Sequence, residues 1–180
     1  MKSRHLLNYV KVYDKVLSPR HCELLTLVFD MSDKTEEVKT NVIDFTQLNL
    51  NKHHSTLVAD LLQPVRTCLS KYKREVETHF PTNSLALEEF RIKRYNGGTG
   101  QQFRDHVDVG GLNSSRRYLA FLFYLNDDFT KGETRFFDNH YIDPKCGSVL
   151  IFPPTWQYPH AGMPVKAGKK YILSTYLHYT

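Results

Sequence analysis

The sequence predicts a mainly β fold with flanking helices, and three observations support this fold class. Apolar residues recur at helical spacing only in the first half of the chain. The second half consists of short apolar or alternating segments separated by turn residues, as expected of strands. The 11 Tyr and 11 Phe residues also favour strands. Helices followed by a series of short strands are typical of helices packed on a β-sandwich or jelly roll.

Two helices are predicted in the first part of the chain. The first begins at Ser18, because serine is a favoured N-cap and Pro19 suits the first helical position. The second begins near Ser55, where leucines and valines follow helical spacing. Pro64 lies inside this second pattern, so it either kinks the helix or marks its true start.

Strands are predicted mainly after the second helix. Residues 90–95 alternate in the way that a half-buried strand does. Residues 118–125 are apolar almost throughout, which is typical of a strand covered on both faces. Shorter strands complete the prediction, at residues 42–45, 134–137, 149–152 and 171–179.

The length of the chain sets its domain organisation. A chain of 180 residues suits a single domain with a substantial core. We therefore expect one domain over residues 1–180. In it, residues 1–82 form a helical support region and residues 83–180 form the jelly-roll core that holds the functional site.

Composition limits the cellular setting and the classes of binding partner that we expect. The formal net charge of +5 could favour nucleic acid, an acidic protein or a dicarboxylate, but no block of like charge stands out. A solvated Lys/Arg surface therefore explains the charge better than a nucleic-acid site. The 3 scattered cysteines indicate a reducing, cytoplasmic setting. No apolar run approaches the length of a membrane span, and the N-terminal segment is too polar for a secretory leader.

A His-x-Asp pair, His106 and Asp108, is the strongest functional signal in the chain. It lies in a segment with the character of a strand, where residues two apart project from the same face. His160 supplies a second imidazole far downstream. Two histidines and one carboxylate match the facial triad of non-haem Fe(II) oxygenases. The alternative is that these are ordinary side chains, since the chain contains 9 histidines and short patterns arise by chance.

An ordered set of motifs extends from Phe90 to Tyr179, and it strengthens the interpretation of His106 and Asp108 as metal ligands. The motifs are Arg94-Tyr95-Asn96, His106-Val107-Asp108, Phe123-Tyr124-Leu125-Asn126, Gly132-Glu133-Thr134, Pro159-His160-Ala161-Gly162 and Gly168-Lys169-Lys170-Tyr171. Together they resemble the Fe(II)- and 2-oxoglutarate-dependent dioxygenase superfamily, within its prolyl 4-hydroxylase-like branch.

The resemblance implies a fold and a set of cofactors. The family fold is a double-stranded β-helix, a jelly-roll barrel with helices braced against one sheet. The resemblance implies that His106, Asp108 and His160 hold Fe(II), and that 2-oxoglutarate and O₂ fill the remaining positions. Ascorbate is a further cofactor that the resemblance allows but does not require.

The far carboxylate of 2-oxoglutarate needs a cation, because burying it unpaired in an apolar barrel would be costly. The resemblance places Lys170 there, and alternation agrees because Lys170 shares a strand face with Ile172. Lys169 sits beside the turn at Gly168 and is the competing choice. The alternative is that both lysines face solvent.

Three further residues are implied as neighbours of 2-oxoglutarate. Tyr124 matches a family tyrosine that donates to the same carboxylate, although a plain core aromatic is an equal alternative in this apolar run. Tyr95 matches a second tyrosine near the cosubstrate. Thr134 is expected to line the same pocket.

The resemblance also implies a reaction, the hydroxylation of an unactivated C–H bond, with a prolyl side chain of a protein or peptide as the favoured substrate. Lys170 matches the collagen-type enzymes. Lys170 and Tyr176 stand where the nucleic-acid repair branch carries arginines, which argues against nucleic acid as substrate. Two alternatives stay open: hydroxylation of a free amino acid or other small molecule, and a non-catalytic jelly-roll module that binds metal or sugar.

Overall fold

The computed structural model describes residues 5–76 and 85–180, so the expected division at residues 82 and 83 lies outside the described residues. The helices are α1 (Pro19–Met31), α2 (Leu50–His53) and α3 (Ser55–Val76). The strands are β1 (Lys11–Tyr13), β2 (Glu36–Lys39), β3 (Ile43–Asn49), β4 (Arg91–Asn96), β5 (Gln102–His106), β6 (Arg117–Tyr124), β7 (Thr130–Lys131), β8 (Thr134–Phe136), β9 (His140–Ile142), β10 (Val149–Phe152), β11 (His160–Gly162), β12 (Val165–Ala167) and β13 (Lys169–His178).

Eleven of these strands form one antiparallel sheet in the order β1-β10-β6-β13-β4-β3-β5-β11-β8-β9, with β2 added beside β3. Strands β7 and β12 form a separate two-stranded ribbon. The strands predicted near residues 90–95, 118–125, 134–137, 149–152 and 171–179 all belong to the large sheet. None of the described helices has the length and apolar character needed to cross a bilayer.

The sheet curls until strands far apart in its order face each other. Phe136 of β8 and Phe152 of β10 lie near opposite ends of the strand order, yet their ring centroids are only 4.8 Å apart. The hydroxyls of Tyr124 on β6 and Thr134 on β8 are 2.7 Å apart. Such contacts require an enclosed interior, as in a jelly roll. The predicted fold class is confirmed.

The central strands separate two apolar clusters. Alternate residues of a strand point to opposite faces, so β13 directs Leu173 and Leu177 towards the helices, and Ile172 and Tyr176 towards the barrel interior. Strand β6 alternates in the same way. The helix-side cluster contains Leu25 and Phe29 from α1, and Leu61, Val65, Leu69 and Tyr72 from α3. The prediction of a strand covered on both faces is therefore confirmed for β6.

Both predicted helices are present. The N-cap of α1 is Ser18, whose Oγ accepts a hydrogen bond of 3.1 Å from the backbone N–H of His21. Helix α3 begins at Ser55 and continues through Pro64, so this proline does not mark the start of the helix. The two helices pack their apolar faces against the sheet, where they support the side opposite the barrel interior.

The N-terminal region contributes strands as well as helices, which the description of residues 1–82 as a helical support omitted. Strand β1 pairs with β10 at the sheet edge, and β3 lies between β4 and β5. Strand β2 was missed because its charged, mostly exposed residues give no apolar alternation, as is common for an edge strand. The division of the chain into support and core stays a prediction.

The segment from Asn96 to Gly100 leads from β4 towards β5, two strands that are not neighbours because β3 separates them in the sheet. The segment packs on the turn between β12 and β13, where the N–H of Gly97 donates to the carbonyl of Gly168 at 2.8 Å. A Cβ atom at Gly97 would lie 2.6 Å from the Cα of Ala167, so this close approach requires glycine.

Candidate active site

Three potential metal ligands meet at the mouth of the barrel. His106 ends β5 and His160 begins β11, and the two residues pair across these antiparallel strands. One ligand atom of each histidine and of Asp108 lies within 4.8 Å of the others. The Nε2 atoms of His106 and His160 are each 3.5 Å from an oxygen of Asp108. The sequence-predicted triad is thus brought together in space.

Asp108 reaches this position differently from the way alternation along a strand suggested. Strand β5 ends at His106, and Asp108 lies two residues beyond its end. Its backbone carbonyl accepts a hydrogen bond of 2.9 Å from Arg117. The guanidinium of Arg117 is itself held by Glu88 through contacts of 2.7 and 3.0 Å. Arg117 therefore fixes the loop that carries the carboxylate.

Backbone carbonyls set the tautomer of both histidines. The Nδ1 atom of His106 is 2.8 Å from the carbonyl of Arg104, and that of His160 is 3.1 Å from the carbonyl of Tyr158. Because a carbonyl only accepts, each Nδ1 carries the hydrogen and each Nε2 presents a lone pair. Burial lowers the pKa of His160, which keeps this imidazole in the neutral form that a metal ion binds.

Only one of the two carboxylate oxygens of Asp108 has a hydrogen-bond partner. Tyr176 donates its phenolic hydrogen to Oδ1 at 2.7 Å. The other oxygen, Oδ2, is buried without a hydrogen-bond partner, and so is Nε2 of His106. Buried polar atoms in this state are costly, and a divalent cation would satisfy both. The residues present therefore fit a metal ion.

The charge state of Asp108 also suits a cation. Burial alone would raise the pKa of this carboxyl, but the imidazoles of His106 and His160 in their protonated forms, together with the hydrogen bond from Tyr176, lower it to about 2. Aromatic rings hold the two imidazoles in place. Phe103 stacks on His106 with centroids 3.4 Å apart, and Phe152 packs on His160 at 4.7 Å. The ligands are oriented before any metal ion binds.

The four residues expected around 2-oxoglutarate also gather in the barrel interior. Lys170 is 1% exposed and lies opposite Tyr95 in the pairing of β13 with β4. Its Nζ is 5.6 Å from the ring centroid of Tyr95 and 5.8 Å from that of Tyr124. Tyr124 and Thr134 share a hydrogen bond of 2.7 Å. Lys169, in contrast, is exposed.

The ammonium group of Lys170 is poorly compensated. Within the described residues its hydrogen bond is to the carbonyl of Gly132, at 2.5 Å, whereas an ammonium group can donate three. Burial lowers the pKa of Lys170 to about 7, and the charge of Glu133 offsets only part of this effect. A buried cation in this state has a large free energy to gain from a carboxylate partner.

One cavity reaches the metal ligands and part of the second group of residues. It is lined by His106, Asp108 and His160 on one side and by Tyr95 and Thr134 on the other. Lys170 and Tyr124 do not line this cavity, but each lies beside a residue that does: Lys170 beside Tyr95, and Tyr124 beside Thr134. Trp156 is 75% exposed and does not line this cavity.

Sequence reasoning missed three residues beside the centre, namely Glu88, Lys93 and Arg117. Glu88 and Arg117 are 29 residues apart and lie outside the recognised motifs. Alternation along β4 does place Lys93 on the same face as Tyr95, so that signal was present in the sequence.

A comparison with protein families matches residues 90–178 to the 2OG-Fe(II) oxygenase superfamily. The matched segment contains the three candidate ligands and Lys170. The chain belongs to this superfamily. The superfamily implies Fe(II), 2-oxoglutarate and O₂ as its cofactors, and the unpartnered atoms of His106 and Asp108 fit the metal ion.

Relatives of this 2OG-Fe(II) oxygenase are prolyl 4-hydroxylases. A candidate prolyl 4-hydroxylase of Acanthamoeba polyphaga mimivirus is 36% identical over 83 residues, covering 41% of this chain and 33% of its own length. Prolyl 4-hydroxylase subunit alpha-1 of Gallus gallus is 24% identical over 201 residues, covering 97% of this chain. This chain spans only 39% of that subunit. The resemblance to the prolyl 4-hydroxylase-like branch is confirmed.

Solved structures agree on the fold of this family member. The collagen prolyl hydroxylase of Paramecium Bursaria Chlorella virus-1, solved with 2-oxoglutarate, superposes with a TM-score of 0.74 at 20% identity. The superposition covers 96% of this chain and 97% of the viral chain. The shared architecture is therefore the double-stranded β-helix expected from the sequence.

Proposed function

We propose that this chain is an Fe(II)- and 2-oxoglutarate-dependent dioxygenase that hydroxylates prolyl side chains of a protein or peptide. The observation that carries the proposal is the cluster of three ligand atoms on His106, Asp108 and His160. Two buried atoms of this cluster, Nε2 of His106 and Oδ2 of Asp108, have no hydrogen-bond partner. Such a facial set leaves coordination positions open for a keto acid and for O₂.

His106, Asp108 and His160 would hold the metal ion. When Fe(II) and 2-oxoglutarate are bound, they supply oxidative chemistry, in which O₂ is consumed, the keto acid becomes succinate and CO₂, and a C–H bond is hydroxylated. The protein binds and orients the reactants and excludes side reactions. Phe103 and Phe152 hold the imidazoles, and the surrounding apolar interior excludes water.

Lys170 would bind the far carboxylate of 2-oxoglutarate. The buried ammonium group is close to the hydroxyl pair of Tyr124 and Thr134, whose hydrogen bond leaves one donor hydrogen available to a ligand. Tyr95 lies opposite Lys170 and closes the same pocket. These four side chains would align the keto acid along the cavity that leads to the metal ligands.

The prolyl substrate is supported by the relatives, which are named prolyl 4-hydroxylases. A protein or peptide substrate also agrees with the open groove beside the metal ligands. We further propose a reducing, cytoplasmic setting, which is supported by the odd number and scattered placement of the cysteines.

The deciding experiment is anaerobic addition of Fe(II) and then 2-oxoglutarate to the purified chain. We expect a visible metal-to-ligand charge-transfer band that is lost in His160→Ala. Succinate release with proline-containing peptides then tests the substrate. A chain that binds neither Fe(II) nor 2-oxoglutarate, with both in excess, would instead be a jelly-roll binding module.

Removing the phenol of Tyr176 is expected to weaken metal binding. Tyr176→Phe keeps the ring but loses the 2.7 Å hydrogen bond that orients Asp108. Loss of such an outer partner typically costs about 10–100-fold in metal affinity. Titration of the variant with Fe(II) under anaerobic conditions measures this loss.

Tyr171→Phe is the matched control for this variant. Tyr171 lies on the helix-facing side of the same strand, and its hydroxyl donates to Asp30 at 2.8 Å. We expect this variant to lose stability but to bind Fe(II) as the unchanged chain does. Equal Fe(II) affinity in Tyr176→Phe and the unchanged chain would contradict the orienting role.

The affinity for 2-oxoglutarate is expected to fall as pH rises above about 7. Burial lowers the pKa of Lys170 to about 7 in the ligand-free chain, and only the protonated form pairs with a carboxylate. Below that pH the lysine is already charged and the affinity is flat. Above it, binding requires proton uptake, so Kd rises by up to about tenfold per pH unit.

Calorimetric titration of the Zn(II)-loaded chain with 2-oxoglutarate between about pH 6 and 9 measures this profile. Lys170→Ala should bind weakly and show no such rise. A rise that persists in this variant would assign the titration to another group.

A further inference from the structure

An open groove lies beside the metal ligands, and Lys170 is not among the residues that line it. It has a volume of about 410 Å³ and reaches His106 and Asp108. Two of its walls are the rings of Phe45 and Phe103, and three of its side chains are cationic: Arg91, Lys93 and Arg117. We refer to it as the substrate groove, because it opens beside the metal ligands.

Two of the three cations already have anionic partners. Arg117 forms a two-point ion pair with Glu88, and Arg91 is paired with Glu89. Within residues 5–76 and 85–180, no carboxylate lies within ion-pair distance of Lys93. The ammonium group of Lys93 lies instead over the rings of Phe45 and Phe103, at 5.3 and 5.8 Å from their centroids.

Lys93 also lies on the same face of β4 as Tyr95 and lines the cavity with the metal ligands. Burial lowers its pKa to about 8, even though the charge of Asp108 acts in the opposite direction. Lys93 is half-buried, and a partly desolvated cation without a paired anion gains free energy from an incoming carboxylate.

When the metal ion and 2-oxoglutarate are bound, Lys93 would be left without an anionic partner. Asp108 would direct its charge to the metal ion. The two carboxylates of 2-oxoglutarate would be matched by the metal ion and by Lys170. Because Arg91 and Arg117 keep their glutamate partners, only Lys93 among the cations of the groove would face the substrate without a counter-charge.

The rings of Phe45 and Phe103 beside Lys93 suit an apolar part of the substrate. Phe103 stacks on the metal ligand His106, so an apolar surface lies directly beside the reaction centre. An apolar residue packed on that surface would place its neighbouring groups beside Lys93. The groove therefore offers an apolar surface on which a prolyl ring could pack, with the ammonium group of Lys93 next to that surface.

We propose that Lys93 selects substrates that carry a carboxylate next to the residue to be hydroxylated. This inference rests on the proposed function. In a peptide the carboxylate is the side chain of an adjacent Asp or Glu. In a free amino acid it is the α-carboxylate. The groove is open rather than enclosed, which favours the peptide.

The test measures peptide binding directly. Two labelled peptides of equal length, with Glu or Gln beside a single proline, are titrated into the full chain loaded with Zn(II) and 2-oxoglutarate. We expect the Glu peptide to bind about tenfold more tightly, as a charge-assisted hydrogen bond predicts. The preference should vanish in Lys93→Gln, and Lys93→Glu should prefer a peptide with Lys at that position.

Arg94→Gln is the matched control, because Arg94 is the next residue on β4, carries the same charge and pairs with Asp30 on the opposite face. We expect it to keep the preference for the Glu peptide. A preference that survives in Lys93→Gln, or equal binding of both peptides by the unchanged chain, would overturn the inference. Peptide binding itself, and succinate release, would still support the proposed function.

Free proline and prolinamide distinguish the source of the carboxylate. If neither peptide binds but proline binds more tightly than prolinamide, and Lys93→Gln abolishes the difference, carboxylate selection by Lys93 stands and the peptide substrate fails. If none of the four compounds binds to a chain that binds Zn(II) and 2-oxoglutarate, both the inference and the prolyl substrate fail.

Discussion

Replacing His106 with alanine is expected to abolish succinate production. The variant loses one of three ligand atoms that lie within 4.8 Å of one another, and two protein ligands do not hold Fe(II) firmly. Even loss of an outer partner costs about 10–100-fold in metal affinity, so loss of a ligand should exceed that range. Anaerobic Fe(II) titration and a succinate assay measure the two effects.

His53→Ala controls for the removal of an imidazole, since His53 is exposed on α2, outside the candidate site. The control should bind Fe(II) normally. The fold of His106→Ala should persist, because His106 belongs to neither apolar cluster. Turnover retained by His106→Ala with Fe(II) in modest excess would remove this residue from the metal site.

Lys170→Ala is expected to raise the 2-oxoglutarate concentration required for turnover by about 30-fold or more. Truncating one partner of a buried charge pair typically costs about 2–5 kcal/mol, because the other charge is left buried and unpaired. Metal binding should change little, since the ammonium group contacts the carbonyl of Gly132 and the rings of Tyr95 and Tyr124 rather than the metal ligands.

Lys169→Ala provides the control, because Lys169 is the adjacent residue, has the same charge and is exposed. It should leave the 2-oxoglutarate requirement unchanged. If Lys169→Ala raises the requirement and Lys170→Ala does not, the assignment of faces along β13 is shifted by one residue. Steady-state kinetics with varied 2-oxoglutarate, together with a direct Kd, separate binding from chemistry.

The sequence carried enough information to place the interior face of β13. This strand is ten residues long, so the period of two groups Lys170, Ile172 and Ser174 on one face, and the family resemblance identified that face as the interior one. The same reasoning identified β6 as buried on both faces. Long strands with a strong apolar pattern are therefore predictable from single-sequence arguments.

Other features depend on contacts that the chain forms only when folded. Strands β1 and β2 are short or exposed, and their pairing energy comes from partners distant in sequence, β1 with β10 for example. The position of Asp108 beyond the end of β5 depends on Arg117, which in turn depends on Glu88. No local pattern encodes such a chain of polar contacts.

The division of β13 between two apolar clusters has a consequence for protein engineering. Alternate positions of this strand face the helices and the reaction chamber, so stability and chemistry are encoded by interleaved residues of one segment. Selection for heat resistance can therefore act on Leu173 and Leu177 while Lys170 and Tyr176 stay fixed. A library of aliphatic substitutions restricted to the helix-facing positions would vary the packing of the scaffold without redesigning its active chamber.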